Sequence, residues 1–324
     1  MVKKYPEIIS LGELLVEIMR DRINSRHRDI GATYRGPFPS GAPAIFIDSA
    51  ARMGKPFDLS TGFIGVIGND EFGECILRKL NNDGVDTSQI RITNELTTGI
   101  AFNQYNSDGS RKFIFAQGAA GETSEFDIKE EYFQNIKNIH IMGSALSISK
   151  KSRDACFKAI KIAKKVNSNV VISFDPNLRP EMLDLETIIN ISKPILEKTD
   201  ILLPSGDEAE NLANVKGSEI ACQKLLAMGP KIVVLKQGYR GCTVFTPDEN
   251  NGMKIDGFKV TEKDPTGAGD CFAGAFMIGY LIGWELERVA KFANAVGALK
   301  VENFGPMPNT SYKEVISLMK QFTS

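Results

Sequence analysis

KDPTGAGDCFAG, residues 263–274, follows a segment of alternating hydrophobicity, Met253 to Val260, and opens an apolar run from Phe272 to Ile282. Phe272, Phe276 and Tyr280 recur in that run at helical spacing, which predicts a helix over 266–282. Thr266-Gly-Ala-Gly269 is then the turn that enters it. Two glycines and an alanine let the backbone come close to a ligand. Amides at a helix N-terminus lack carbonyl partners and attract anions, phosphate above all. Asp270 falls in the first helical turn beside that anion site. Its carboxylate has two readings: it complements the helix dipole, or it takes a proton from a hydroxyl that attacks phosphorus.

Upstream of this turn, from residue 138 on, short β-rich runs alternate with helical patterns. Strands are predicted at Ile139–Met142, Val170–Asp175, Ile201–Pro204 and Ile232–Lys236, with helices near 150–166, 184–197 and 207–228. Further helices are predicted at 286–301 and 311–322. Crossovers of this length imply a parallel sheet covered on both faces. In such sheets ligands bind beyond the carboxyl ends of the strands.

The first third of the chain is less regular. Ile8 to Met19 is a buried-strand candidate interrupted at Gly12-Glu13, and it carries two carboxylates, Glu13 and Glu17. Arg20 to Pro39 is polar and reads as a crossing between layers or an extended hairpin. Ser40-Gly41-Ala42-Pro43 opens a helix to about Met53, with Pro near its start and Gly54 at its end. FIGVIGNDEFG (63–73) reads as a strand and then a helix, with Asp70 as cap, Phe72, Ile76 and Leu80 on one face, and Gly84 as the stop. Thr97 to Gln117 reads as a β-hairpin turning at Asn106-Ser-Asp-Gly109.

Composition narrows the class. The chain has 324 residues, 42% hydrophobic and 24% charged, as in an ordinary globular protein. Its 39 basic and 40 acidic residues leave a net charge of −1, which speaks against nucleic acid as a partner. Five scattered cysteines (75, 156, 222, 242, 271) with no C-x-x-C read as reduced thiols in the cytoplasm. Two histidines, His27 and His140, argue against a His-rich metal site, and His140 in IHIMGS reads as a core or site-lining residue. MVKKYPEIIS lacks a signal-peptide apolar region, and no apolar run reaches the roughly 18 residues of a membrane span. A cytoplasmic protein with no membrane partner is expected.

The string D-P-T-G-A-G-D-C-F-A-G resembles the C-terminal signature of the ribokinase-like (PfkB) carbohydrate kinases, D-T-x-G-A-G-D-x-F; no Walker motif is present. The resemblance runs from Gly12 to Gly305 in the family's order. SGAPAIFI (40–47) stands where the family has G-G-x-x-x-N-x-A, with Ser40 for the first Gly and Ile45 for Asn. Residues 63–73 are similar to I-G-x-V-G-x-D-x-F-G, and DPNLR (175–179) to D-x-N-x-R. Pro204-Ser-Gly-Asp-Glu208 is similar to N-x-x-E, with Ser205 for Asn.

That resemblance implies a ribokinase-like three-layer α/β/α sandwich with a mainly parallel sheet and a small β-sheet lid. Residues 1–12, 40–96 and 123–324 would form the large domain, and 13–39 and 97–122 the lid, which keeps water from the nucleotide. It implies Asp270 as catalytic base, with Gly267, Ala268 and Gly269 as the amide hole for the transferring phosphoryl group. Sugar contacts would come from Glu17, Ser40, Gly41, Ala42, Ile45 and Gln104, and from Asp175 and Asn177. Arg179 would meet the acceptor or a phosphate. Ser205, Lys236, Gly238, Thr266 and Gly269 would line the nucleotide, and Asn294 the adenine. Glu208 would act through water on the Mg²⁺ that accompanies ATP. Some members bind K⁺ behind the amide hole through the residue that is Asp264 here. Plainer readings stand beside these: an Asp175–Arg179 ion pair, Asp207 and Glu208 decorating a helix start, Lys236 as a solvated strand end, and Asp264 capping its turn.

The activity implied is ATP-dependent phosphoryl transfer to the primary hydroxyl of a ketohexose. GPFPSGAPAIFID (36–48) looks most like a tagatose-kinase-like subgroup, with fructose the poorer substrate because Ile45 offers no amide. The alternative acceptor is 2-keto-3-deoxygluconate, whose carboxylate suits Arg179. A catalytically silent sugar- or nucleotide-sensing member is a rival of another class; Asp270 and the glycine turn argue against it. A nucleoside or vitamin kinase is a further rival, and a Rossmann dehydrogenase lacks its G-x-G-x-x-G after the first strand. A homodimer is expected through the hairpin, whose Ile100, Phe102, Phe113 and Phe115 recur at two-residue spacing.

Overall fold

The apolar run at the N-terminus forms two strands in two different sheets. In the computed structural model, which describes residues 5–107 and 111–321, β1 (Ile8–Gly12) ends at Gly12 and β2 (Leu15–Arg20) begins after Glu13 and Leu14. Gly12 has φ +137°, a conformation open to glycine, and there the chain leaves one sheet for the other. The strand β3 (Tyr34–Ser40) pairs antiparallel with β2, so the polar crossing returns as a hairpin arm.

Gly41, at φ +109°, leads into α1 (Ala42–Gly54). Next come β4 (Thr61–Gly68) and α2 (Glu71–Asp83). Asp70 caps α2 by accepting from the Gly73 amide at 2.9 Å, and Gly84 closes it in the left-handed region, as the sequence predicts. Asp70 also accepts from the Thr98 amide at 2.7 Å, which ties this helix start to the root of the lid. A strand not anticipated, β5 (Val85–Thr93), forms the edge of the large sheet. Its apolar residues are few because only one side is covered.

The hairpin arms are β6 (Gly99–Tyr105) and β7 (Arg111–Ala116). The turn expected at Asp108-Gly109 lies outside the described residues. The alternating part follows: β8 (Asn138–Met142), α3 (Gly143–Ser147), α4 (Lys150–Val166), β9 (Val171–Asp175), α5 (Leu185–Leu196) and β10 (Ile201–Leu202). The single helix predicted over 207–228 is two, α6 (Gly206–Ala213) and α7 (Ser218–Leu226). Asn214 at φ 48° and Gly217 at φ 94° break the periodic pattern between them. After β11 (Ile232–Lys236), the strands β12 (Cys242–Phe245) and β13 (Met253–Ile255) run back antiparallel at the edge. Only the first three residues of the alternating segment 253–260 are strand. The chain ends in α8 (Ala268–Leu281), α9 (Leu286–Val301) and α10 (Tyr312–Gln321).

The large sheet has nine strands in the order β13-β12-β11-β10-β9-β8-β1-β4-β5, parallel except for β12 and β13. Two apolar cores fill its faces. One packs α1, α2, α8, α9 and α10 against the sheet around Phe46, Phe63 and Phe276. The other packs α3 to α7 around Leu146, Phe174 and Phe245. This is the three-layer α/β/α sandwich expected. A four-stranded sheet, β3-β2-β6-β7, stands over the carboxyl ends of the strands as the lid. Among the described residues no helix is long and apolar enough to cross a membrane.

Candidate active site

Between lid and large sheet lies a cavity of about 690 Å³. Its walls come from the strand ends of the sheet, the start of α1, the turn before α8, and the cleft face of the lid. Of the residues singled out in the sequence, it brings together Glu17, Ser40, Gly41, Ala42, Ile45, Asn177, Arg179, Ser205, Glu208, Lys236, Gly238, Thr266, Gly267, Gly269 and Asp270.

Gly267 is the left-handed residue that turns the chain into α8, with φ +78°. A Cβ there would stand 3.0 Å from the Pro306 carbonyl oxygen and 3.2 Å from the Ile45 side chain. The turn is thus clamped between α1 and the chain beyond α9. Ala268 departs from expectation: its amide donates to the Pro265 carbonyl at 3.2 Å and closes the turn. The amides left to face an anion are those of Gly267, Gly269 and Asp270, at the helix start where intrahelical acceptors are missing. Asp270 is buried, and loss of water pushes its pKa up to about 6, against the pull of Lys236 and Arg179. Asn177, in the left-handed region at φ 36°, donates from Nδ2 to Asp270 Oδ1 at 3.4 Å.

Lys236 is no solvated strand end. Its Nζ donates to Asp175 Oδ2 at 2.5 Å, and a Cβ on Gly269 would lie 3.4 Å from it. Burial draws its pKa down, but Asp175, Glu208 and Asp270 outweigh that and hold it above its usual value. The ion pair considered between Asp175 and Arg179 is therefore made with Lys236 instead, and Asp175 sits behind the cavity wall rather than on it. Glu208 forms a capping box with Ser205, accepting from its amide and hydroxyl, each at 2.8 Å. Its other oxygen accepts from the Leu178 amide at 3.0 Å, so one carboxylate ties the loop after β9 to the start of α6.

On the lid side, Glu17 accepts from Ser40 Oγ at 2.6 Å and from Asn103 Nδ2 at 2.5 Å. Glu13, not anticipated as a site residue, also lines the cavity. Its Oε1 accepts from Ser144 Oγ at 2.6 Å, while the buried Oε2 has no partner among the described residues. Burial raises its pKa. The signal in the sequence was a carboxylate beside the glycine that interrupts the first apolar run; the change of sheets there is tertiary.

Three further expectations change. Gln104 lies on the lid's other face: alternate residues of a strand point oppositely, and Ala101 and Asn103 take the cleft side. Its amide contacts the backbone of His27 and the side chain of Asn106. Asn294 gives its amide to the carbonyls of Ile255 and Asp256, each at 3.2 Å, and does not line the cavity. Phe113 and Phe115 line the cleft, whereas Ile100 and Phe102 lie on the opposite face, because Phe115 is opposite Ala101 and Ile114 opposite Phe102. The four side chains therefore form no single patch. His140 is core: it stacks on Phe46 at 3.6 Å between centroids.

An ammonium, a glycine turn with amides and a carboxylate poised near neutrality together suit binding of a polyphosphate and deprotonation of a hydroxyl. Residues 8–312 match the pfkB family carbohydrate kinases. A 5-dehydro-2-deoxygluconokinase of Clostridium botulinum is 32% identical over 97% of this chain and 93% of its own. The "Probable fructokinase-5" of Arabidopsis thaliana is 29% identical, covering 94% of each. A candidate ribokinase II from E. coli, in complex with ATP and Mg²⁺, superposes with TM-score 0.89 at 37% identity, over 98% of this chain and 99% of that one. The chain belongs to the pfkB family of carbohydrate kinases, phosphotransferases with an alcohol group as acceptor.

Proposed function

We propose that this kinase transfers the γ-phosphoryl group of ATP to the primary hydroxyl of a ketohexose, tagatose before fructose. The observation that carries the acceptor class is the Glu13–Glu17 wall, with Glu13 Oε2 buried and without a partner in the described residues. That one buried carboxyl oxygen is an acceptor for a sugar hydroxyl. Asp270 takes the hydroxyl proton as that oxygen attacks the γ-phosphorus and ADP leaves. Amides of Gly267, Gly269 and Asp270, with Lys236, face the oxygens on which charge grows. Phe113 and Phe115 on the lid exclude water from above.

For Mg²⁺-ATP the residues fit: hard carboxylate oxygens at Glu208, an ammonium at Lys236 and glycine-rich backbone. Mg²⁺ supplies charge neutralisation on the phosphates, and Glu208 would meet its water shell. A second reading, a keto-deoxy sugar acid, is favoured by Arg179 in the cavity wall and by the relatives called 5-dehydro-2-deoxygluconokinase. We also infer a homodimer, formed through the outer face of the lid, and a cytoplasmic location, where ATP and five free thiols are stable. The test is kcat/KM for tagatose, fructose, 2-keto-3-deoxygluconate and 5-dehydro-2-deoxygluconate. A clear preference for either acid replaces the ketohexose reading, and no ATP consumption with any acceptor supports the sensing alternative.

A further inference from the structure

Lys300, in the last turn of α9, is fully buried. A buried ammonium must find oxygen partners. Its Nζ donates to the carbonyl of Asp264 at 2.7 Å and to that of Asn303 at 3.2 Å, and stands 3.5 Å from Asp264 Oδ2. Burial draws its pKa below the usual lysine value, with Asp264 opposing. Asp264 in turn accepts from the Thr266 amide at 3.0 Å, the Thr266 hydroxyl at 2.7 Å and the Gly305 amide at 2.8 Å. Two carbonyls and a carboxylate thus converge on one positive charge, at the aspartate that holds Thr266 just before the turn at Gly267. Such an oxygen set would otherwise suit a monovalent metal cation. The K⁺ expected at Asp264 does not fit these residues, because the ammonium already takes up that position.

We propose that Lys300 is the fixed cation of the phosphate-binding turn, a positioning residue that makes turnover independent of K⁺. The charge locks Asp264, and Asp264 locks Thr266 and Gly305 on the two sides of the turn. Preorganised amides stabilise developing charge without reorganising during the reaction. A tethered ammonium is present at full occupancy, whereas a free ion would fill the site only to the extent that its concentration exceeds its dissociation constant.

The rate part of the test rests on the sugar-kinase reading; the melting part needs no acceptor, so the two can fail separately. At equal ionic strength, wild-type turnover with its best acceptor is expected to be equal in KCl and in tetramethylammonium chloride. Its melting temperature is likewise expected to be unchanged. Lys300→Ala removes the charge and leaves its oxygen partners. Its kcat is expected to fall about tenfold or more with a smaller change in KM for ATP, and to recover in K⁺ or NH₄⁺. Its melting temperature should rise with KCl. A wild-type enzyme that K⁺ activates several-fold or stabilises overturns the proposal, even if the variant does not fold. A folded variant that neither K⁺ nor NH₄⁺ rescues or stabilises also overturns it, leaving Lys300 a packing residue.

Discussion

Asn177 reaches across 3.4 Å to Asp270, its Nδ2 donating to Oδ1, and so joins the loop after β9 to the first turn of α8. This bond points one carboxylate oxygen at the loop; in the proposed reaction the other takes the acceptor's proton. Replacing Asp270 by Asn keeps the shape and removes the base. Asp270→Asn is expected to lower kcat by ~10²–10⁴-fold while ATP affinity, measured by calorimetry, stays near wild type. Near-normal turnover in a folded variant would remove Asp270 from the catalytic role.

The pH profile follows from the same burial. Asp270 is raised from 3.8 to about 6, so the working, ionised base accumulates as pH rises through about 6. Turnover is expected to climb across that point and then level. Stability runs the other way. A carboxylate with a raised folded pKa contributes stability that is fully present below 3.8 and lost as pH rises to about 6. In Asp270→Asn the limb of the rate profile near 6 should vanish, and urea titrations should show a smaller loss of stability over that window.

Ile45 is 2% exposed and packs on Gly267, yet it also lines the cavity. Ile45→Asn is expected to shift the kcat/KM ratio toward fructose over tagatose. It places an amide against apolar neighbours, at a cost of about 1–3 kcal/mol in denaturant titration. A lower stability with an unchanged ratio would make Ile45 a packing residue alone.

A Cβ on Gly143 would overlap the Pro176 carbonyl, so α3 and the 175–179 loop approach only because that residue is glycine. Gly143→Ala is expected to cost about 1–3 kcal/mol. It should also lower kcat/KM, because the loop it displaces carries Asn177 and Arg179. Unfolding curves and kinetics on one preparation separate the two effects.

The lid's outer face presents Ile114 at 53% and Tyr34 at 37% exposure, with Phe102 packed edge-on against Tyr34. Sedimentation at micromolar concentration is expected to give a dimer, and Ile114→Asp a monomer with unchanged helix content. A strictly monomeric wild type contradicts the dimer.

Local chemistry made much of this molecule readable in its sequence. Asp70 and Gly84 bound α2 because a cap and a left-handed stop act within four residues. The glycine turn and Asp270 were readable because a helix start carries its own anion chemistry. Strand and helix periods gave the layered sheet, and the motif order gave the family. Features set by pairing between distant residues were not readable. The register of β6 against β7 decides that Phe113 and Phe115 face the cleft while Ile100 and Phe102 turn away, since a one-residue shift exchanges the faces. Asp175 pairs with Lys236, 61 residues on, rather than with the nearer Arg179. Glu13 became a site residue through the sheet change at Gly12. Lys300 meets the Asp264 carbonyl 36 residues away because α9 packs back along α8. Spacing along a chain carries the first kind of information. The second exists only once burial forces each charge to find the partner that folding brings near.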